Sequence, residues 1–265
     1  WPGLRASLSL VLGLGLCGVP YSGPDVGGFG GSPSPELYLR RLQLGALLPL
    51  FRTQAALRAG RGEPWEFGPD VLGHARVVLD ERQRLRPYWV TLAQLAHRTG
   101  APYVRPLWWS APEERALRDC EDAFLLGDSL LVAPVLEPGV TRRAVRLPRG
   151  RWYDTATGRA YEGPGQVLVD APLSRVPVLA RAGAVLPVRG ADGGLELEVW
   201  APPRGRTGGG LVVRDAGDGW EVPEVERYVS RRQVRGRVVV QRDYGDGELR
   251  DVKDPVRVRG LDAEG

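Results

Sequence analysis

The stretch Gly18-Val19-Pro20-Tyr21-Ser22-Gly23-Pro24-Asp25-Val26-Gly27-Gly28-Phe29 decides the fold. Residues 4–16, just before it, are helix-like and apolar on most sides, as a packed helix can be. Gly18 suits the cap of that helix, and residues 19–22 then read as a short buried strand. A glycine-rich turn follows, carrying an Asp and an aromatic. Pro35 or Glu36 opens a second helix running to about residue 51, with Leu37, Leu44, Leu47, Leu48 and Phe51 on its apolar face. Arg40 and Arg41 fall on the opposite side. A third long helix covers residues 68–99, kinked at Pro87 and ended by Gly100, and residues 102–107 form the next strand. Long helices alternating with short strands fit the end of a (β/α)8 barrel, and the repeats are too few for a whole one.

From about residue 120 the pattern changes. Short β-rich runs at 130–133, 144–147, 167–169 and 176–179 are separated by Gly and Pro turns. Residues 190–194 read as a linker, and further β-rich runs follow at 195–200, 211–214, 228–234, 237–242 and 255–258. The expected fold class is therefore α/β plus all-β: the C-terminal end of a (β/α)8 barrel, then two antiparallel β-sandwich-like domains. The expected division is 1–112 for the barrel part, 113–190 for a proximal β-domain and 191–265 for a distal one.

Composition narrows the function classes. The chain has 265 residues, 43% hydrophobic and 26% charged, as in an ordinary globular protein. Its formal net charge is only +4, Lys253 is the sole lysine, and Ile, Asn and Met are absent. The depleted residues share A- or T-rich codons, so the arginines reflect a GC-rich coding sequence more than a nucleic-acid surface. Acidic residues are mixed in throughout, and no nucleic-acid partner is expected. The chain opens on Trp1 in mid-pattern, which reads as a fragment. Residues 8–16 superficially resemble a signal core, but the run is too short and too sparsely flanked by basic residues. No membrane partner is expected, and with no signal peptide visible the expected location is cytoplasmic. Cys17 and Cys120 lack metal or redox spacing and read as two buried thiols, with a disulfide left open. His74 and His97 read as surface or packing residues. No metal or cofactor is expected.

The turn carries the chemistry. A carboxylate accepts hydrogen bonds from sugar hydroxyls, an aromatic ring lies against a pyranose face, and glycine lets the backbone approach a ligand. Standing alone, Asp25 on such a turn is more simply a cap for the following helix. What adds weight is an ordered series of motifs. It begins with Trp1-Pro2-Gly3-Leu4-Arg5, then Gly18-Val19-Pro20 with residues 25–29, and Leu42-Gln43-Leu44-Gly45-Ala46 leading to Arg52. It continues with Glu63-Pro64-Trp65, Leu85-Arg86-Pro87-Tyr88, Ala96-His97-Arg98-Thr99-Gly100 and Arg105-Pro106-Leu107. Residues 124–135, Trp152-Tyr153-Asp154 and residues 181–187 close it. In this order the segments resemble glycoside hydrolase family 31, the α-glucosidase and α-xylosidase family, most closely over residues 1–190.

The resemblance implies a piece of a retaining α-glycosidase, most simply an α-glucosidase of carbohydrate metabolism acting on α-linked oligosaccharides or glucosides. Such enzymes need two carboxyl groups about 5–5.5 Å apart. In the family both are barrel aspartates that would lie before Trp1, so no catalytic residue is assigned and the chain alone is expected to be inactive. Asp25, Phe29 and Gln54 are the implied substrate-binding residues, and Arg52 is expected to pair with a carboxylate rather than touch sugar. The family usually has His where this chain has Gln54. Gln donates from an amide but carries no charge, so the departure reads as weaker binding, a changed specificity or a degraded gene. The alternative reading is a catalytically inactive carbohydrate-binding or interaction remnant.

Other prominent residues read as structural. Trp108 and Trp109 are expected to pack between barrel and proximal domain, although a sugar platform is conceivable. Trp152-Tyr153-Asp154 reads as a structural turn. The run 215–219 resembles the start of a calcium loop but lacks the later acidic ligands, and reads as a hairpin turn. Residues 1–110 would expose unpaired strand edges, so a chain starting near Glu113 is expected to be the more soluble.

Overall fold

The structure, a computed structural model, describes residues 1–57, 59–60, 62–214, 217 and 223–261. The expected turn at 215–219 therefore lies, apart from Gly217, outside the described residues.

Four helices come first: α1 Pro2–Leu16, α2 Pro35–Gly45, α3 Pro69–Arg84 and α4 Arg86–Thr99. α1 turns Leu4, Leu8, Val11 and Leu12 into the core. It ends with the Val19 amide returning to the Leu14 carbonyl at 2.9 Å, the Schellman arrangement that a glycine at position 18 permits. α2 starts on Ser34, whose hydroxyl accepts from the Leu37 amide, with Pro35 at its first position. It stops well before Phe51. Leu47 and Leu48 bond three residues back, to Leu44 and Gly45, and Pro49 has no amide with which to continue. The long helix expected over 68–99 is two helices joined at Leu85. Pro87 occupies the first turn of the second, so the proline breaks the helix rather than bending it.

The expected strand at 19–22 does not form. Val19 and Tyr21 are 48% and 60% exposed, and Pro20 can donate nothing to a ladder. The strand lies further along, as β1 Asp25–Val26, parallel to β2 Arg52–Thr53, with Asp25 opposite Arg52. Ser22 contributes its carbonyl, which accepts from the Leu50 amide at 3.2 Å. The strand expected at 102–107 is shorter, β3 Val104–Arg105. It pairs antiparallel with β4 Phe124–Leu126, and residues 107–110 form a 3-10 turn.

β3 and β4 open a six-stranded sheet with β5 Leu130–Val132, β6 Arg142–Asp154, β7 Ala160–Asp170 and β8 Val178–Arg181, in the order β3-β4-β5-β8-β6-β7. Trp152, Tyr153 and Asp154 are the buried end of β6 rather than the turn itself. The Asp154 carboxylate accepts from the Ala156 and Thr157 amides of the turn that follows, at 2.9 and 3.2 Å. β9 Val185–Arg189, β10 Leu195–Trp200 and β15 Val256–Arg259 form a three-stranded sheet. β11 Thr207–Val213, β12 Val225–Arg232, β13 Val238–Asp243 and β14 Leu249–Asp251 form a four-stranded one. These two sheets share a core of Val185, Leu197, Val199, Val212 and Tyr228. Residues 190–194 are not a linker. They are the turn of the β9–β10 hairpin, with the Gly190 amide donating to the Gly194 carbonyl at 2.8 Å.

One apolar cluster runs from α1 through α2 and α4 into the sheets: Leu4, Leu8, Leu48, Tyr88, Leu130 and Trp200 are among its members. Arg40 reinforces this seam, contrary to the expectation that it faces solvent. It is 2% exposed, and its guanidinium donates to the carbonyls of Val140, Ala171, Pro172 and Arg175 at 2.9–3.2 Å and to Gln43 Oε1 at 3.0 Å. Gln43 Nε2 in turn donates to the Leu173 carbonyl at 2.8 Å. A solvent-facing position follows from helical spacing only where one face is covered, and here the β-loops cover the second face. Cys17 departs from expectation too. It is exposed, and neither cysteine is in a disulfide. Cys120 is half-buried; burial, and then the charge of Asp122, push its thiol up to about 11.

Candidate carbohydrate site

The site is built where the two parallel strands end. β1 delivers Asp25 and, through the turn after it, Phe29. β2 delivers Arg52 and then Gln54. Arg52 Nε donates to Asp25 Oδ1 at 2.8 Å, so the carboxylate that Arg52 meets is the candidate sugar ligand itself. The Asp25 side chain is 16% exposed and the Arg52 side chain 52%, so the pair sits at the rim of the fold. The Phe29 ring is 57% exposed, as a stacking platform must be, while the Phe29 carbonyl accepts from the Ala56 amide at 2.7 Å. That bond ties the Phe29 turn to the loop after Gln54. Gln54 is exposed.

Between the two loops lies a cavity of about 90 Å³, lined by Val26, Gly27, Gly28, Thr53, Gln54 and Glu63 among others. Ligand sites run to roughly 300–1,000 Å³, so the groove by itself is too small to enclose a sugar chain. Glu63 was not singled out as a site residue. Its Oε2 is buried with no hydrogen-bond partner, and Tyr38, fully buried on α2, has an unpartnered hydroxyl nearby. Burial, and then the negative charge of Glu63, push the Tyr38 phenol up to about 12. The signal in the sequence was the Glu63-Pro64-Trp65 motif itself.

The tryptophans sit elsewhere. Trp108 packs against the cluster around Leu107, Leu125 and Trp152. Trp109 is 37% exposed and lies under the Arg105 guanidinium, 5.6 Å from its ring centroid. His97 is exposed and His74 half-buried. Among the described residues no group of three His, Cys, Asp or Glu side chains is placed to hold a metal, and no helix is long and apolar enough to cross a membrane.

The sequence carries two successive family signatures. Residues 1–92 match the glycosyl hydrolases family 31 TIM-barrel domain, and residues 100–186 match the glycosyl hydrolase family 31 C-terminal domain. The chain belongs to glycoside hydrolase family 31. It is 41% identical over 188 residues to a probable glucan 1,3-alpha-glucosidase of Arabidopsis thaliana, covering 71% of this chain and 20% of that protein. It is 38% identical over 226 residues to human neutral alpha-glucosidase AB, covering 81% of this chain and 24% of that one. The chain thus spans about a fifth to a quarter of the curated relatives it matches. Among solved structures, a family 31 dextranase of Flavobacterium johnsoniae complexed with glucose superposes with a TM-score of 0.85 at 26% identity, over 94% of this chain and 33% of that one. The fold is accordingly the end of a (β/α)8 barrel followed by antiparallel β-domains.

Proposed function

We propose that these residues form part of the sugar-binding wall of a retaining α-glucosidase acting on α-linked gluco-oligosaccharides. The observation that carries this reading is the parallel register of Asp25 with Arg52, which gathers Asp25, Phe29 and Gln54 at the C-terminal ends of neighbouring strands. That end is where barrel enzymes bind substrate. Relatives named for glucan 1,3-alpha-glucosidase and neutral alpha-glucosidase activity support the same substrate class. In this role Asp25 Oδ1 stays with Arg52, which fixes the carboxylate so that its other oxygen accepts from a sugar hydroxyl. Phe29 covers one face of the ring, and the Gln54 amide donates where the family's imidazole usually does.

No aspartate here matches the nucleophile or the acid/base of the family, so hydrolysis requires carboxylates from outside these residues. Purified 1–265 should release no 4-nitrophenol from the α-glucoside above a buffer blank, whereas the intact protein should release it and give the α-anomer of glucose first. Turnover by 1–265 alone would overturn the assignment of the carboxylates. Gln54 in place of histidine favours a second reading, a binding module without catalysis. Retained affinity for α-linked oligosaccharides in an intact protein without turnover would select it.

A further inference from the structure

Gly27 and Gly28 both have positive φ, +84° and +95°, and both lie against side chains of α2. A Cβ on Gly27 would stand 3.2 Å from the Tyr38 ring, and a Cβ on Gly28 would stand 2.7 Å from Arg41 Nη1. Tyr38 and Arg41 are three residues apart on α2 and so share one face of that helix. The Tyr38 ring is held from behind by Phe67, stacked at 4.1 Å between centroids with 18° between planes. α2 itself is fixed at its next turn by Gly45, where a Cβ would stand 2.8 Å from Val26 Cγ2 of β1.

Neither residue is held in place by polar bonding. The Tyr38 hydroxyl is buried and unpartnered, and Arg41 Nε is buried and unpartnered. No described residue forms an ion pair or hydrogen bond with Arg41, and burial alone lowers its pKa. A half-buried cation without a counter-charge does not help folding. What both side chains do is fill the space under the double glycine.

We propose that Tyr38 and Arg41 are positioning residues that set the Gly27–Gly28 turn and thereby the places of Asp25 and Phe29 in the sugar site. The inference rests on the carbohydrate reading above. It assigns the glycine pair to the fit with α2, rather than to close approach of the backbone to a sugar.

The test is a set of variants in the intact enzyme, with kcat and KM measured on an α-glucoside. Gly28→Ala should raise KM about tenfold and change kcat less than about threefold, because strain at a positive-φ position displaces a binding loop. Adding Arg41→Ala to Gly28→Ala should recover about half of that loss on a logarithmic scale, the remainder being backbone strain. Tyr38→Phe should leave KM within about twofold, and Tyr38→Leu should raise it about fivefold, since the ring supports the turn and its hydroxyl bonds to nothing. Additive effects of Gly28→Ala and Arg41→Ala, or wild-type KM in Tyr38→Leu, would overturn the proposal. Asp25→Ala is the control. If it leaves KM unchanged, the sugar-site reading has failed. The same Gly28/Arg41 cycle, read as melting temperatures of the 1–265 chain, then decides the fit with α2, coupling supporting it and additivity overturning it.

Discussion

Two surfaces of α2 meet the rest of the molecule in opposite ways. Toward the β-loops, Arg40 and Gln43 donate directed hydrogen bonds to the carbonyls of Val140, Ala171, Pro172, Leu173 and Arg175. Toward the glycine turn, Tyr38 and Arg41 make contacts of shape only. Arg40 and Arg41 are consecutive and chemically identical. The difference lies in what surrounds them, so a residue type read from sequence does not reveal whether its charge is used. The first surface resists separation. The second holds a loop in place while leaving buried polar atoms without partners, a pattern that trades stability for the arrangement of a site.

Removing the first surface altogether should have the largest effect. A chain lacking residues 1–112 loses Leu4, Leu8, Leu48 and Tyr88 from the shared core and the Arg40 hydrogen bonds beside it, and leaves Leu126, Leu130, Val132 and Tyr153 uncovered. It should aggregate on expression, and the full 265 residues should be the better-behaved species by size-exclusion chromatography, the reverse of the sequence-based expectation. A soluble, monomeric truncation would show that the two halves do not depend on each other.

Arg40→Met comes next. It leaves the Val140, Ala171 and Arg175 carbonyls without a donor at a largely buried seam and should cost about 3–5 kcal/mol in urea unfolding, an effect close to total loss of fold for a marginally stable chain. A cost below about 1 kcal/mol would mean that water replaces the guanidinium.

Asp25→Ala in the intact enzyme should lower kcat/KM by about one to two decades, because a charge-assisted bond worth roughly 1.5–3 kcal/mol is lost. Gln54→Ala should cost less, on the order of 1 kcal/mol. Gln54→His should raise kcat/KM on an α-glucoside. A fall instead points to a sugar other than glucose.

Arg41→Met is the smallest effect and has the opposite sign. Replacing an unpartnered, half-buried cation by an apolar side chain of similar length should stabilise the 1–265 chain by roughly 0.5–1 kcal/mol in urea unfolding. Destabilisation would mean that the charge is satisfied after all, and that the two arginines differ less than their surroundings suggest.

Much of the fold is legible in the sequence. Helical periodicity located α1, α2 and the helical region that becomes α3 and α4, and the alternation after residue 120 located the β-strands. The misses have local causes. Pro20 and Pro49 each remove an amide, which moves the strand to Asp25–Val26 and ends α2 at Gly45, and both were visible in the sequence. The burial of Arg40 was not, since its acceptors lie about 100 to 135 residues away in sequence. The same holds at the site. Asp25, Phe29, Arg52 and Gln54 were named from motifs. Tyr38, Arg41 and Glu63 were not, because their importance arises only when α2 and the 62–63 segment fold against the turn.

The Arg40 staple also bears on inheritance. The two family signatures, 1–92 and 100–186, are separable as text, and recombination can join either to a foreign neighbour. Arg40 lies in the first signature, and the four carbonyls it reaches, those of Val140, Ala171, Pro172 and Arg175, lie in the second. A chimera that kept one signature alone would carry either a bare guanidinium or bare carbonyls into its interior. Descent through this lineage should therefore transmit the two as a single heritable unit.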